Sequence, residues 1–409
     1  RLYVHNVVTW NTLMTGYTNH GKSIEALELY RDMQKQGMKP DPITCLCALR
    51  ACSSIVALEH GKKIHAYIIE KQLDIDSFVG SSLVDMYAKC GSLDDAWITF
   101  NRLREKTVVS WNALIAGCAQ QNDYSLAFQL FQDMLQLRLE MNAVTFICLI
   151  SACSRGGLLY EGLLHFNSMQ GHHHITPMLE HYNLLVDLLG QKGYLSEAED
   201  LLETIPFQHN AIGWTSLLSS CKHHVDLNVA RRCFDRCIML EKTNAAGYVL
   251  LSSIYENAGL TQEATKIEYL RVQSFCWKKP AIAFTEIDGA LHSFTVGDRG
   301  HPESPSIYAK LSSLNLEICK EEYSHQVTSQ VAALCKEEGT CGHCEKLAIA
   351  FGLICTPPGT TIRVSKNLRM CDTCHGTSKL ISKIETREII VSDTFCIHRF
   401  QDGECSCRM

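Results

Sequence analysis

From residue 7 to residue 210, apolar positions recur three and four apart, in paired short stretches separated by glycine or polar turns. In the first stretch Leu13, Met14 and Tyr17 fall on one helical face. In the next, Ala26, Leu29, Tyr30 and Met33 do the same. Gly21 lies in the turn between them. Gly37 and Pro40 end the second helix, because glycine accepts the left-handed cap conformation and a proline soon after cannot continue it. The spacing therefore predicts two helices per unit, each with one stripe to bury.

The pattern then repeats at a fixed offset. Trp10-Asn11 returns as Trp111-Asn112, and Ala51-Cys52-Ser53 as Ala152-Cys153-Ser154, both 101 residues on. The run from Asp85 to Gly91 returns at Asp187 to Gly193 with an offset of 102. Each block divides into units 7–41, 42–76 and 77–107, about 35, 35 and 31 residues long. One helix pair cannot cover both its stripes, so the units are expected to stack into an α-solenoid with a continuous core.

Beyond residue 210 the pattern weakens and then changes. Two further helical pairs are expected around Trp214–Cys237 and Tyr248–Gln273 in a docking segment, 211–280, for the terminal domain or a partner protein. Phe284–Val296 alternates about Asp288-Gly289, which reads as a β-hairpin. An amphipathic helix from about Ser306 to Glu321 follows, then a helix over His343–Ile354, and a turn leading into a strand over Pro357–Val364. The expected architecture is a helix-turn-helix solenoid followed by a small α/β domain.

Composition sharpens this picture in three ways. The 409 residues are 46% hydrophobic and 20% charged, with 9 prolines, as expected of a mostly helical folded chain of two or three domains. The longest apolar runs fall short of the ~18 residues that a membrane span needs. The net charge of −6 argues against a non-specific nucleic-acid binder, which relies on a basic field, so any RNA selectivity must come largely from base edges. The one locally basic stretch, Arg363, Lys366, Arg369, Lys379, Lys383 and Arg387 against Asp372 and Glu385, reads equally as a solvated face or a phosphate track. The chain opens Arg1-Leu2-Tyr3-Val4 inside a repeat and is expected to be a fragment, with any targeting peptide outside it.

Candidate chemistry concentrates at the end. Of 21 cysteines, twelve are scattered before residue 330 and nine lie between Cys335 and Cys407, interleaved with histidine, which favours metal over disulfides. His343-x-Glu345 followed by Cys371-x-x-Cys374 is the order in which zinc nucleobase deaminases place one His, two Cys and a proton-shuttling Glu. Three protein ligands leave a fourth position open for water. A competing set is also present: Cys341-x-x-Cys344 with Cys371-x-x-Cys374 spells a closed four-cysteine ribbon.

The repeats could be tetratricopeptide units, which keep a 34-residue period and usually bind peptides. The mixed 35/35/31 period, with Val8-Thr9-Trp10-Asn11-Thr12-Leu13 and Asp85–Leu93, instead resembles the plant pentatricopeptide repeats over residues 7–210. The resemblance implies that each unit reads one base of single-stranded RNA through its fifth and last residues. It pairs Asn11 with Asp41 for uracil, Ser81 with Thr107 for a purine (adenine), and Asn112 with Asn142 and Asn183 with Asn210 for pyrimidines. Leu46 and Ile147 hold the fifth position of intervening units and would act as spacers. Any single Asn among these also reads as a helix cap or turn residue.

The C-terminal stretch, about 280–407, resembles the DYW domain of plant RNA-editing factors, and residues 211–280 resemble the extension repeats that precede it. The likeness rests on the hairpin with Gly297-Asp298 and His301-Pro302, on His343-Cys344-Glu345-Lys346-Leu347-Ala348, on Lys366-Asn367-Leu368-Arg369, on Cys371–His375 and on Cys405-Ser406-Cys407. It implies a catalytic zinc on His343, Cys371 and Cys374, Glu345 as proton shuttle, and a structural zinc on His375, His398, Cys405 and Cys407. The implied activity is C-to-U deamination of organellar RNA, in a mitochondrion or chloroplast, with other editing proteins as further partners. The chain departs from the family in ending Arg408-Met409 without Asp-Tyr-Trp, and in Ala281 and Cys396, which stand where Gly and Arg are expected. Two other functions stay open on sequence: an RNA-binding specificity factor with a dead deaminase domain that recruits an active enzyme, and a peptide-binding repeat protein with a zinc ribbon.

Overall fold

The computed structural model describes residues 6–73, 77–207, 211–324 and 342–407. The helices come in short pairs, in the order α1 (Val7–Asn19), α2 (Ser23–Lys35), α3 (Pro42–Ile55), α4 (Leu58–Glu70), α5 (Ser77–Lys89), α6 (Leu93–Arg102), α7 (Val108–Gln120) and α8 (Tyr124–Gln136). They continue as α9 (Ala143–Gly156), α10 (Leu159–Gly171), α11 (Leu179–Gln191), α12 (Leu195–Thr204), α13 (Ala211–His224), α14 (Leu227–Leu240), α15 (Ala245–Asn257) and α16 (Thr261–Gln273). Two compact units result, one of residues 1–123 with 280–409 and one of residues 124–279.

Polar caps fix where these helices start. Asn6, Asp41, Thr107 and Asn142 each accept the backbone N–H three residues on, and at Asp41 and Asn142 a threonine closes a capping box. Each such cap is worth about 1 kcal/mol. Between the helices of the first pair, Gly21 has φ +72°, and Gly37 has φ +75° after the second helix. The inner stripes match the expected spacing: Met14, Ala26 and Met33 are fully buried, as are Cys45, Leu49 and Cys52. Tyr17 departs from its expected place and is exposed, Trp10 being the buried aromatic of α1. Scattered thiols such as Cys90, Cys118 and Cys153 are buried, as small apolar groups are. In the second unit the same logic continues, with Leu185, Leu188, Trp214, Leu217 and Phe234 buried.

The C-terminal domain is built on one sheet. Strands β1 (Ile282–Ile287), β2 (Ala290–Thr295), β3 (Ile362–Lys366), β4 (Ile389–Ser392), β5 (Ile397–Gln401) and β6 (Glu404–Cys405) lie in the order β2-β1-β3-β4-β5-β6. Only β3 and β4 are parallel. The helices are α17 (Ser304–Ser324), α18 (Cys344–Cys355) and α19 (Asp372–Ile384), with α19 forming the crossover that parallel β3 and β4 require. The hairpin turn at Asp288-Gly289 has positive φ at both residues, as its two-residue length demands. Phe294, Leu347, Phe351, Ile362, Val364, Val391 and Phe400 form the core beneath α18.

Within the first unit this domain touches the second repeat. The Glu286 carboxylate on β1 accepts the N–H groups of Glu59 and His60, both at 2.9 Å, at the N-terminus of α4. Helix N-termini favour such an anion. No described helix is long and apolar enough to cross a membrane.

Candidate active site and base-reading positions

Two helix N-termini meet at the first cluster. His343 is the N-cap of α18 and Cys371 the N-cap of α19, so Cys371-x-x-Cys374 opens a helix. His343 Nδ1 lies 3.1 Å from Cys374 Sγ and 3.7 Å from Cys371 Sγ. Donor atoms of His343, Glu345, Cys371 and Cys374 all fall within 4.8 Å of one another. A tetrahedral zinc, with Zn–S near 2.3 Å and Zn–N near 2.0 Å, sets its ligand atoms roughly 3.5–3.8 Å apart. The donor set and its spacing fit that ion. A hydrogen bond from Cys374, opposed by burial and aided by His343, brings the Cys371 thiol down to about 4. Cys374 moves the other way, raised by that hydrogen bond to Cys371 and by burial.

Glu345 sits in the first turn of α18 and is fully buried. Burial alone would keep its carboxyl protonated. Lys366 at the end of β3 overrides this, with its Nζ 2.6 Å from Glu345 Oε1, and holds the carboxyl below its ordinary range. The antiparallel pairing of β3 with β1, which sets Lys366 opposite Ala283, fixes the lysine there.

Of the competing cysteine ribbon, Cys341 lies outside the described residues. Cys344 does not join the ligand cluster. Its side chain is buried in the apolar core, its Sγ donates to Glu345 Oε2 at 3.2 Å, and burial with the neighbouring carboxylate pushes its thiol up to about 12.

The second cluster gathers His375 from α19, His398 from β5, Cys405 from β6 and Cys407 from the tail. His375 Nε2 is 3.0 Å from Cys407 Sγ, the Cys405 and Cys407 sulfurs are 3.3 Å apart, and Cys405 Sγ is 3.8 Å from His398 Nδ1. Four N and S donors at this spacing suit a closed tetrahedral site. The described cysteines from Cys344 to Cys407 are all free thiols, whereas Cys319 on α17 is disulfide-bonded.

Asp393, in the turn between β4 and β5, was not legible as part of this site. Its buried carboxylate accepts the N–H groups of Met370, Phe395 and Cys396, and His398 Nε2 lies 3.3 Å away. Burial raises its pKa, but His398 and the backbone N–H groups bring it down to about 2.

The six basic side chains of the 363–387 stretch do not share one exposed face. Lys366 is buried against Glu345, and Arg387 is buried with hydrogen bonds to Thr356 and to the Thr360 carbonyl. Arg363 is half-buried, with its Nη1 shielded from solvent. Arg369 stands over the Phe395 ring, and Lys379 pairs with Glu404. Only Lys383 and Arg369 are exposed among the six.

On the repeats, Asn11 is in contact with Asp41 and Ser81 with Thr107. Asn11 Nδ2 donates to Asp41 Oδ1 at 3.1 Å, while Thr44 Oγ1 donates to Asn11 Oδ1 at 2.7 Å. Ser81 Oγ lies 3.2 Å from Thr107 Oγ1. Asn112 is buried on α7, Asn142 is the N-cap of α9, and Asn183 is half-buried on α11. Asn210 lies outside the described residues. Asp41, Thr107 and Asn142 are also helix caps, so of the asparagines Asn142 takes the cap role as well.

A comparison with known proteins finds family matches along the chain. Residues 315–409 match the DYW family of nucleic acid deaminases, and residues 291–318 match the E+ motif, C-terminal to the 211–280 segment read as extension repeats. Residues 5–54 and 106–155 match the PPR repeat family, with further PPR repeat matches at 81–108, 144–174 and 180–205. Fold and matches together define a helical-repeat protein with a nucleic-acid-deaminase domain at its C-terminal end.

Among curated relatives from Arabidopsis thaliana, the chloroplastic pentatricopeptide repeat-containing protein At1g08070 is 39% identical across 100% of this chain and 56% of its own length. The mitochondrial At3g26782 is 38% identical across 98% of this chain and 61% of its own, and At3g47530 is 37% identical across 98% and 69%. The chain thus belongs to the pentatricopeptide repeat proteins of the PLS class that carry a DYW deaminase domain. It spans between about half and two thirds of the length of these relatives. A solved structure of PPR10 in complex with an 18-nt psaJ RNA element is 17% identical over 67% of this chain and 46% of that one, with a TM-score of 0.44.

Proposed function

We propose that this protein is a site-specific C-to-U RNA-editing factor of a plant organelle, chloroplast or mitochondrion, whose repeats read single-stranded RNA and whose C-terminal domain deaminates cytidine. The observation that carries this reading is the convergence of His343, Glu345, Cys371 and Cys374 at two facing helix N-termini, in a domain of the nucleic-acid-deaminase family. On this reading residues 1–210 select the RNA, 211–280 form extension repeats that dock the terminal domain or other editing proteins, and 281–409 form the deaminase.

His343, Cys371 and Cys374 would hold the catalytic zinc, and His375, His398, Cys405 and Cys407 a structural one. When bound, the catalytic ion acidifies water so that attack on C4 of cytosine is open near neutral pH. Glu345 does the proton work. As a carboxylate it takes a proton from the attacking water and delivers one to N3. It then takes the second water proton, now on the C4 hydroxyl, and passes it to the departing amine, so that cytidine and water give uridine and ammonia. Lys366 keeps that carboxylate ionised and aimed between rounds. The second cluster ties the C-terminal tail to the start of α19, the helix that carries Cys371 and Cys374.

Base choice would fall to Asn11 with Asp41, Ser81 with Thr107, Asn112 with Asn142, and Asn183 with Asn210. Asn11 with Asp41 and Ser81 with Thr107 each bring the polar atoms of one unit's fifth and last residues side by side, which suits a single Watson–Crick edge. Glu345→Ala tests the whole reading. The variant should bind its target RNA as the parent does and leave the target cytidine unedited. Editing by Glu345→Ala, as the only deaminase present, would refute it and leave the chain a specificity factor.

A further inference from the structure

We propose that Asp393 is a positioning residue that joins the two metal centres, holding His398 of one and the chain entry to Cys371 of the other on a single carboxylate oxygen. This rests on the two-centre reading above. Oδ2 accepts the Met370 N–H at 2.7 Å, and Met370 immediately precedes Cys371. The same Oδ2 lies 3.3 Å from His398 Nε2. His398 thereby turns its other nitrogen, Nδ1, to the Cys405 sulfur. A carboxylate behind a histidine ligand fixes the ring's tautomer and orientation, and removing one typically lowers metal affinity about 10–100-fold.

The second oxygen is equally committed. Oδ1 accepts the N–H groups of Phe395 at 2.7 Å and Cys396 at 2.9 Å, closing the β4–β5 turn that delivers His398 to the cluster. All four partners are donors, so the site requires a group with acceptors on both sides. A carboxylate meets this requirement. The amide of asparagine does not, because whichever way it is turned its NH₂ faces two donors. Asp393 is fully buried, so water cannot make up the loss.

A third donor group, Asp393 with Cys396 and His398, shares this corner. Cys396 Sγ lies 3.5 Å from His398 Nε2 and 3.8 Å from Nδ1, beside the ring edge. The proposal gives the ion to Cys405 and Cys407 and leaves Cys396 a packed thiol.

The test is zinc competition on the full chain with a chromophoric chelator, joined to the thiolate-to-cobalt absorption of the cobalt-loaded chain. Asp393→Asn should weaken the second zinc by about 10–100-fold. It should also alter the cobalt bands of both centres, which a purely scaffolding residue would leave unchanged in any variant that folds. Cys396→Ser should leave both affinities at the parent value. Helical circular dichroism confirms that each variant is folded, and Asp393→Glu, which keeps all four acceptors, should retain more zinc than Asp393→Asn. Parent-like zinc affinities and cobalt bands in folded Asp393→Asn overturn the proposal, as does loss of the second ion in Cys396→Ser but not in Cys405→Ser. A parent chain that binds fewer than two zinc ions would instead refute the two-centre reading.

Discussion

Lys366→Met offers the sharpest physical test of the buried pair at Glu345. The pair it breaks is closed: Nζ and Oε1 are 2.6 Å apart, with the lysine side chain 6% exposed and the glutamate 0%. At an effective dielectric near 20, two unit charges at that distance attract by about 6 kcal/mol, much of it offset by the cost of burying both. Removing only the lysine leaves a buried carboxylate with its desolvation penalty uncompensated, a change that typically costs about 3–5 kcal/mol. The sign with pH follows. In the parent, Glu345 is held below the ordinary carboxylate range, so its contribution is fully present above that range and fades as pH falls through the lowered value. In Lys366→Met, burial is no longer opposed by the lysine and raises the carboxyl, so the penalty is greatest at neutral pH and shrinks in acid as Glu345 protonates. Native-state hydrogen exchange of the α18 amides, corrected for intrinsic rates, reads this locally. At pH 7–8 the variant should exchange there some two to three orders of magnitude faster than the parent, with a smaller gap near pH 5. Adding Glu345→Gln, which removes the charge but keeps the shape, should restore most of the protection. An equal loss at both pH values, or no recovery in the double variant, would refute the ion-pair account.

Other consequences are more compact. His343→Ala should lower bound zinc from two ions to one per chain by elemental analysis, while Cys344→Ser, outside the ligand cluster, should leave the count at two. Asn11→Ala should weaken binding to an RNA with uracil at the aligned position by about 1 kcal/mol or more in a gel-shift salt series, and blunt the preference for that base. Asp41→Ala should do the same and also cost about 1 kcal/mol of helix stability, since Asp41 caps α3. Gly117→Ala should destabilise the stack between α5 and α7 by about 1–3 kcal/mol in thermal melts. An added Cβ there would sit 2.5 Å from the Cβ of buried Ala88, which has no rotamer to yield.

What the sequence made legible was whatever repeats or caps itself locally. The unit boundaries at 42, 77 and 108 fall where α3, α5 and α7 begin, because Asp41 and Thr107 serve at once as last residue of one unit and cap or lead-in of the next. The hairpin was equally readable, since a two-residue Asp288-Gly289 turn admits few backbones. The two donor clusters were readable by residue type as well, since the structure brings His343, Glu345, Cys371 and Cys374 together and likewise His375, His398, Cys405 and Cys407. Lys366 and Asp393 were not. Lys366 was read as one more charge in a basic run, and its partner follows only from β3 lying antiparallel to β1 against the start of α18. Asp393 required β4 and β5, two short strands that the alternation did not reveal, to bring its turn beside both Met370 and His398. Ligands announce themselves by type, whereas the residues that hold ligands are ordinary charges distinguished by burial. An isolated buried charge is too costly to persist, so each such group must have found its donors or its counter-ion. In this domain the search for those partners leads from Glu345 to Lys366 and from His398 to Asp393. It then leads back to the peptide bond before Cys371, which makes the two clusters parts of one connected structure.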